Sequence, residues 1–320
     1  MSSLKDCRIV FMGTPEFAVA TLDYLFKNGC TIVGVVTAPD KPAGRGMQLS
    51  ESAVKKYAVE NGLNVLQPIK LKDPVFLEQL KSLHADVQVV VAFRMLPEVV
   101  WNMPPRGTIN LHGSLLPAYR GAAPINWAII NGELQTGVTT FKLQQEIDTG
   151  DILMTEIIPI AESQTAGELH DQMKLVGAKL MFKTLEGYCS NSLNPIPQNN
   201  VLKDSTEIPI APKLTTATGS ILWNANSKKI VDLVRGLSPY PAAYTSLDGK
   251  MLKIYKSTYS ISTTNIKPGT YQSDGKSFLR FASLDGWVYL HDIQLEGKKR
   301  MDVESFLRGY HFKEELKKAE

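Results

Sequence analysis

The sequence predicts an α/β fold in two parts: a Rossmann-like, mostly parallel sheet followed by a small antiparallel, OB-like β-barrel. Up to about residue 189, short continuous apolar runs alternate with segments of helical spacing, which is typical of parallel strands covered by helices on both faces. From residue 219 the apolar runs become short and alternating. They are separated by Asp-Gly and Pro-Gly turns, which is typical of a small barrel.

The elements follow from these patterns in order. Buried strands are predicted at 7–13, 31–37, 86–93, 107–112, 137–143 and 151–160, and helices after Thr14-Pro15 and at 52–61, 73–83, 124–133 and 166–188. Residues 39–52 carry two Pro and two Gly and predict a long exposed loop. In the second part, strands are predicted at 219–223, 242–247, 251–260, 276–282 and 286–295, with a helix near 226–236. The predicted domains are 1–189 and 213–320, joined by a Pro/Asn-rich linker at 190–212.

Length and composition limit the class of protein. The 320 residues are 43% hydrophobic, which is enough for one large domain or two ordinary ones and argues against disorder. No apolar run reaches the roughly 18 residues that a membrane span needs, and the N-terminal apolar stretch is too short for a signal peptide. We therefore expect a cytoplasmic protein with no membrane partner. The three cysteines are widely spaced, so we expect buried thiols without a metal.

The net charge of +3 hides an asymmetry between the two parts. Residues 1–208 hold 18 Lys and Arg against 21 Asp and Glu, a net of −3, and residues 209–320 hold 17 against 11, a net of +6. A basic second part suggests a polyanionic partner such as nucleic acid. The alternative is a solvated basic surface with no partner.

Two common nucleotide-binding motifs are excluded. The first strand ends in FMGTPEFA (11–18), where the single Gly13 and the following Pro15 do not make the G-x-G-x-x-G of an NAD site. The chain also has no G-x-x-x-x-G-K-[ST], so it has no P-loop. What remains is a helix N-terminus packed on the sheet.

The stretch NLHGSLLPAYRG (110–121) is the strongest candidate for a site. Asn110 and His112 are two apart on a predicted strand, so they share a face and lie at its carboxyl end, where ligands bind to parallel sheets. Asp148, in IDTGD (147–151), lies at another strand boundary and could reach them. An amide donor, an imidazole and a carboxylate suit acyl transfer without a protein nucleophile. The alternative is a capped strand end and an unrelated turn aspartate.

The segments FMGTPEFA, PDKPAGRG, NLHGSLLPAYRGAAPINWAI, GVTTF, EIDTGDIL and QLEGKKRMDVESFLRG occur in this order, and the sequence resembles the methionyl-tRNA formyltransferase family over nearly its whole length. This resemblance implies formyl transfer from 10-formyltetrahydrofolate, a co-substrate, to the α-amino group of methionyl initiator tRNA. It implies that Asn110, His112 and Asp148 are catalytic. It also implies no metal, and we expect a monomer.

The resemblance also assigns binding residues. Ser114, Leu115, Leu116 and Pro117 match a stretch that lines the folate site, and Phe93, Arg94, Met95 and Leu96 match the pterin-pocket segment. Arg45 matches the loop arginine that enters the acceptor stem, and Lys41 lies in the same loop. Lys298, Lys299 and Arg300 lie in the basic second domain, where we expect the tRNA phosphates to bind.

The sequence departs from the family pattern at two places, and two other functions are considered. Met47 and Gln48 stand where the family often has lysines, which removes positive charge from the loop, and Arg94 stands where a smaller residue is common. The rivals are a formyltransferase acting on a sugar-nucleotide amine and a non-enzymatic RNA-binding protein on a degenerate enzyme scaffold. The basic second domain argues against the first, and the intact Asn110, His112 and Asp148 argue against the second.

Overall fold

The computed structural model describes residues 4–43, 48–201, 208–263 and 265–312. Its helices are α1 (Glu16–Lys27), α2 (Ala53–Glu60), α3 (Pro74–Ser82), α4 (Glu98–Trp101), α5 (Pro124–Ile130), α6 (Ala166–Cys189), α7 (Ser227–Gly236) and α8 (Val303–Leu307), with short 3₁₀ helices at Leu4–Asp6, Gln198–Asn200 and Ala217–Gly219. Its strands are β1 (Arg8–Gly13), β2 (Thr31–Val36), β3 (Lys41–Ala43), β4 (Gln48–Ser50), β5 (Val65–Leu66), β6 (Val87–Val91), β7 (Thr108–His112), β8 (Arg120–Gly121), β9 (Gln135–Lys142), β10 (Ile152–Pro159), β11 (Ile210–Ala211), β12 (Ala243–Leu247), β13 (Lys250–Ile261), β14 (Tyr271–Ser273), β15 (Leu279–Ala282), β16 (Gly286–Leu295) and β17 (Met301–Asp302).

The chain divides into two compact units. The first comprises Met1–Gly121, Thr136–Ile158 and His170–Ile210, and the second comprises Ala122–Gln135, Pro159–Leu169 and Ala211–Glu320. The boundaries predicted from the sequence, 1–189, 190–212 and 213–320, stay a prediction.

The first unit is built on a seven-stranded sheet in the order β10-β9-β7-β6-β1-β2-β5. The neighbours from β7 to β5 pair in parallel, and β9 runs antiparallel to β7. The central strands are buried on both faces, which is why they appear in the sequence as continuous apolar runs. The predicted Rossmann-like, mostly parallel sheet is confirmed.

Gly13 shows why a single glycine follows β1. A Cβ at this position would lie 2.6 Å from the Cβ of Ala18 and 3.0 Å from the carbonyl oxygen of Val91. Glycine therefore allows α1 to begin directly against the sheet, as expected for a packed helix N-terminus rather than a dinucleotide site.

The sheet topology brings the candidate segments to one edge. Because β6 and β7 are adjacent and parallel, with Val90 beside Asn110 and Val91 beside Leu111, their carboxyl ends lie at the same edge. The Phe93–Leu96 segment follows β6 there, and the stretch containing Ser114 follows β7.

The segment predicted as a long exposed loop, 39–52, is not entirely loop. Strands β3 and β4 pair antiparallel within it, with Lys41 opposite Ser50. Lys55 on α2 holds both ends of this hairpin, since its ammonium donates to Asp40 just before β3 and lies 2.7 Å from Glu51 just after β4. The hydrogen bond from Lys55 is the main cause that lowers the pKa of Asp40.

The second unit contains an antiparallel sheet in the order β12-β13-β16-β15-β14, with β17 paired to β16. It forms a half-barrel around a core that includes Ile254, Phe281 and Val288, which is consistent with the small antiparallel barrel predicted from the alternating pattern. The strand predicted at 219–223 is wrong. Ser220 makes only an isolated bridge to Tyr244, and the indole ring of Trp223 stacks on Phe281 at 4.6 Å, so this segment covers the core without joining the sheet.

Cys7, Cys30 and Cys189 are buried in the first unit, and none of the three forms a disulfide. Burial raises the pKa of Cys30 to about 11, so this thiol stays protonated at neutral pH.

Candidate active site

His112 ends β7 and is buried, with 7% of its surface exposed. Its Nε2 lies 2.9 Å from the carbonyl oxygen of Tyr119, and its Nδ1 lies 3.9 Å from Oδ2 of Asp148. Because a carbonyl oxygen only accepts hydrogen bonds, Nε2 carries a hydrogen. In the neutral ring, Nδ1 is therefore the unprotonated nitrogen, and it faces the carboxylate.

The loop after β7 places the Tyr119 carbonyl at the imidazole. The hydroxyl of Ser114 donates to Ala118 O at 2.6 Å and closes the loop on itself. Thr139 on β9 donates to Ser114 O at 2.7 Å and accepts from the Leu116 N–H at 3.2 Å. Tyr119 has φ 61°, in the left-handed region, and this conformation turns the chain back toward His112. Hydrogen bonds within the loop and to the sheet therefore fix the position of the histidine's partner.

Asp148 lies in the turn between β9 and β10 with φ 54°, a left-handed conformation that aspartate tolerates better than most residues. Its Oδ2 accepts a hydrogen bond from the backbone N–H of Gly121 at 3.0 Å. A Cβ at Gly150 would lie 1.6 Å from the Lys142 carbonyl oxygen, so only glycine lets the turn approach β9 this closely. The conformation of Asp148 and the close approach at Gly150 therefore explain the first Asp and the Gly of IDTGD.

Gln198 supports the backbone of the same turn. Its amide is buried, with 3% exposed, and donates to the carbonyl oxygens of Asp148 and Gly150, both at 2.8 Å. Its Oε1 accepts from the guanidinium of Arg120, from Nε at 3.0 Å and from Nη2 at 2.5 Å. One buried amide thus joins Arg120, at the end of the loop after β7, to the turn that carries Asp148.

Asn110 lies on the same face of β7 as His112, two residues earlier, and is half-buried. Within the part of the chain that the structure describes, its side-chain amide makes no hydrogen bond to protein. The amide is therefore available to a ligand at the carboxyl end of β7. The structure brings His112 and Asp148 together and places Asn110 beside them along the strand.

The segment Ser114–Pro117 contributes mainly to packing. Ser114, Leu116 and Pro117 are buried and Leu115 is half-buried. The side chain of Leu116 lies in a small cluster with Phe141 and Ile152. The side chain of Leu116 faces the protein interior, so any contact that this segment makes with a ligand falls mainly to its backbone and to Leu115.

The second candidate folate segment lies on the other side of β7, after β6. Phe93 and Leu96 are half-buried and pack against the cluster that contains Met12, whereas Met95 is exposed. The guanidinium of Arg94 donates to the carbonyl oxygens of Ile69, at 2.9 Å, and of Pro68. Arg94 is exposed, and its guanidinium joins this segment to the loop that contains Pro68 and Ile69.

The candidate tRNA-binding residues differ from these in their environment. Arg45 lies outside the described residues. Lys41, at the start of β3, is exposed, and Lys298 and Lys299 are exposed in the turn after β16. In the described parts of the chain, neither Lys298 nor Lys299 forms an ion pair. Arg300 is already engaged, because it pairs with Asp292 at 2.5 Å and lies over the ring of Tyr255 at 4.1 Å.

Sequence reasoning missed several residues around the site. Arg120 and Gly121 belong to the stretch 110–121, but their spacing alone assigns them no partner. Gln198 lies in a Pro/Asn-rich segment predicted as a linker, and a glutamine 50 positions from the aspartate it supports gives no local signal. Thr139 looked like an ordinary residue of a buried strand.

Neither a metal site nor a membrane span is found among the described residues. No group of three or more His, Cys, Asp and Glu side chains there could hold a metal ion. No helix within the described ranges is both long enough and apolar enough to cross a membrane. A groove of about 650 Å³ lies between α3 and α4, lined by Leu77, Val99 and Met103 among others, and it does not include His112 or Asp148.

Comparison with known proteins identifies the family. The formyl transferase family model matches residues 7–185, and the model of the formyl transferase C-terminal domain matches residues 213–311. A methionyl-tRNA formyltransferase from Parabacteroides distasonis is 53% identical over 312 residues, which cover 96% of each chain.

Solved structures add evidence on the fold. An N-formyltransferase from Helicobacter canadensis, in complex with folinic acid and dTDP-3-aminofucose, has a TM-score of 0.67 and 22% identity, and the match covers 89% of this chain and 98% of that one. A variant of HypX from Aquifex aeolicus has a TM-score of 0.64 and 18% identity over 96% of this chain, which spans about half of HypX, 48% of its length. Since these identities are low, the two likenesses show the fold alone, whereas the family follows from the sequence matches. The chain belongs to the methionyl-tRNA formyltransferase family of formyl transferases.

Proposed function

We propose that this chain transfers the formyl group of 10-formyltetrahydrofolate to the α-amino group of methionyl initiator tRNA. The observation that carries the proposal is the similarity along 96% of the chain, both parts included, to a relative named methionyl-tRNA formyltransferase. A likeness confined to the first part would leave the amine acceptor open. The basic composition of residues 209–320, with a net charge of +6, suits a polyanionic acceptor.

The residues present suit a folate co-substrate. The Helicobacter N-formyltransferase of the same fold was solved with folinic acid. In this chain, half-buried Phe93 and Leu96 offer apolar surface beside β7, and Asn110 offers an unused amide. Ligand sites of this kind combine apolar walls with a few polar groups that fix orientation. That the folate carries its formyl group on N10 is part of the proposal.

Asn110 acts as the donor in the proposed reaction. Attack of an amine on a formyl carbon moves negative charge onto the formyl oxygen, and a preorganised N–H donor stabilises that charge. The amide of Asn110 has no protein partner to give up in the described chain, so its full hydrogen-bonding capacity is available at that moment.

His112 and Asp148 handle the proton. The Tyr119 carbonyl keeps a hydrogen on Nε2, so the proton released by the attacking amine is taken up at Nδ1. Asp148 Oδ2, 3.9 Å away, then faces a positively charged ring and stabilises it. The proton on Nδ1 then passes to N10 of the folate as the bond between N10 and the formyl carbon breaks.

Exposed basic residues supply the proposed contacts with tRNA. Lys41, Lys298 and Lys299 point charge at solvent and suit salt-dependent contacts with phosphates. Arg45, which lies between β3 and β4 in sequence, is proposed to probe the end of the acceptor stem, since unpaired ends and shape are what proteins read in RNA. Arg300 contributes less, because its guanidinium is paired with Asp292. The monomeric state and the cytoplasmic location stay predictions.

The test is transfer of labelled formyl from 10-formyltetrahydrofolate to three acceptors: initiator methionyl-tRNA, elongator methionyl-tRNA and an amino-sugar nucleotide. We expect product on the initiator tRNA, less on the elongator tRNA and none on the sugar. Formylation of the sugar with both tRNAs unmodified would overturn the proposal. RNA binding without any transfer would favour the non-enzymatic alternative.

A further inference from the structure

The turn that carries Asp148 depends on support from outside itself. Its backbone is in the left-handed region, with φ 54°, and its carboxylate must stay within reach of the His112 ring. A residue in this conformation keeps it only where its surroundings determine it. The Gly121 N–H holds the carboxylate, but it does not hold the peptide groups that follow Asp148 in the turn.

Gln198 holds those peptide groups. Both of its N–H donors are used, one on the carbonyl of Asp148 and one on the carbonyl of Gly150, each at 2.8 Å. Its oxygen accepts two hydrogen bonds from Arg120. Because a guanidinium only donates, the oxygen must face Arg120 and the nitrogen must face the two carbonyls, so the orientation of the amide is determined.

The segment that carries Gln198 is itself fixed to β10. Ile196, two residues before Gln198, exchanges two backbone hydrogen bonds of 2.8 Å with Ile152 at the start of β10. At the other end, Arg120 directly precedes Gly121, whose N–H donates to Asp148 Oδ2. The carboxylate and the backbone of Asp148 are therefore both held through one short segment, Arg120-Gly121, with Gln198 as the link.

We propose that Gln198 and Arg120 are positioning residues for the formyl transfer, which act by holding Asp148 at His112. This inference rests on the proposed function, since it takes Asp148 as the group that stabilises the protonated imidazole. Neither residue needs to touch a substrate. A purely structural role would instead stabilise the first unit without any specific effect on the chemical step.

The first experiment is a double-mutant cycle in which kcat and KM are measured in the steady state with labelled formyl. Gln198→Ala removes both donors to the turn, and we expect kcat to fall on the order of tenfold to a hundredfold, because loss of a group that orients a reacting residue has effects of this size. KM for the folate and for the tRNA should stay within about twofold, since neither substrate contacts the amide. In the Asp148→Asn background, the same change should have almost no further effect.

Two variants distinguish positioning from simple stability. Gln198→Glu keeps the interaction with Arg120 but turns a carboxylate oxygen toward two carbonyls, so it should lose activity as Gln198→Ala does, even if the protein is equally stable. Arg120→Lys keeps the charge but loses the pair of hydrogen bonds to Gln198 Oε1. Its kcat should lie between those of wild type and Gln198→Ala. Arg106→Lys is the matched control, since Arg106 also donates to a backbone carbonyl and an amide oxygen in the first unit, Tyr188 O and Asn191 Oδ1. It should keep its kcat.

A second readout does not depend on turnover. Hydrogen exchange in Gln198→Ala should accelerate in peptides that cover 119–123 and 144–152, compared with the rest of the first unit. Equal losses of kcat in the two backgrounds of the cycle, or exchange in these peptides unchanged from wild type, would overturn the inference. If the wild-type protein formylates a different amine, the proposed function fails, but the cycle and the exchange measurement still decide the role of Gln198 with that amine.

Discussion

Two groups of proposed functional residues in this protein differ in how tightly the protein holds them. His112 and Asp148 are largely buried. The His112 ring donates to the Tyr119 carbonyl, and the Asp148 carboxylate accepts from the Gly121 N–H, so both side chains are held. Lys298 and Lys299 are exposed and make no ion pair in the described chain. The difference matches what each group is proposed to do. Proton transfer fails when atoms move by an ångström, whereas attraction to phosphates depends on charge and tolerates movement.

The largest effect should come from the buried pair. Asp148→Asn keeps the shape of the side chain but removes the charge that stabilises a protonated His112, so we expect kcat to fall about 10²- to 10⁴-fold. The dissociation constant of the tRNA, measured by filter binding, should stay nearly unchanged. Asp151→Asn removes the same charge three residues away and should keep its activity. Wild-type turnover in Asp148→Asn would show that the tightly held pair, His112 and Asp148, does not carry the proton transfer.

The next effect concerns Asn110. Asn110→Asp is nearly isosteric but replaces the N–H donors with an oxygen that repels the developing charge on the formyl oxygen. We expect a fall in kcat of about 10²- to 10³-fold, the size seen when one donor to an oxyanion is removed. Steady-state kinetics with both substrates varied would check this. A change confined to KM for the folate would mean that Asn110 binds the co-substrate equally in the ground and transition states.

A smaller effect is expected for Arg45, which lies between β3 and β4 in sequence. Arg45→Ala should raise KM for initiator tRNA about tenfold and leave KM for the folate unchanged, because one specific arginine contact is worth about that much. Lys41→Ala, at the start of β3, should have a smaller effect, since a phosphate contact by lysine is less specific. Loss of folate affinity with normal use of tRNA would show that this segment serves the other substrate.

Buried strands were easier to predict from the sequence than exposed segments. The buried parallel strands appear as continuous apolar runs, so the main strands of the first sheet were predicted nearly to the residue, apart from the two-residue β5, which is too short to form a pattern. Pro and Gly in 39–52 hid the pairing of β3 with β4. Alternation at 219–223 suggested a strand, although these residues cover the core through the stacking of Trp223 on Phe281.

For the candidate site, the sequence predicted the residues that meet but not the groups that hold them in place. The position of Asn110 and His112 at a strand end, together with the motif around Asp148, predicted which residues would meet, and the 3.9 Å contact places two of them together. The groups that hold them were not predictable. Gln198 is 50 residues from Asp148 in sequence, and the carbonyl of Tyr119 belongs to the backbone, so neither leaves a pattern of residue types.

The smallest effect should come from the exposed cations, and here Arg300 gives an internal comparison. Lys299→Ala should weaken tRNA binding only a few-fold and reduce the slope of log affinity against log salt concentration by about one, as for one lost phosphate contact. Arg300→Ala should change the slope less, because Asp292 already neutralises the guanidinium, and should instead lower thermal stability through the lost contacts with Asp292 and Tyr255. Salt titrations and thermal unfolding of the two variants separate these outcomes. Arg300→Ala could instead reduce the salt slope as much as Lys299→Ala and leave thermal stability unchanged. That result would mean that the ion pair with Asp292 opens on tRNA binding, and that Arg300 contacts phosphates as the exposed lysines do.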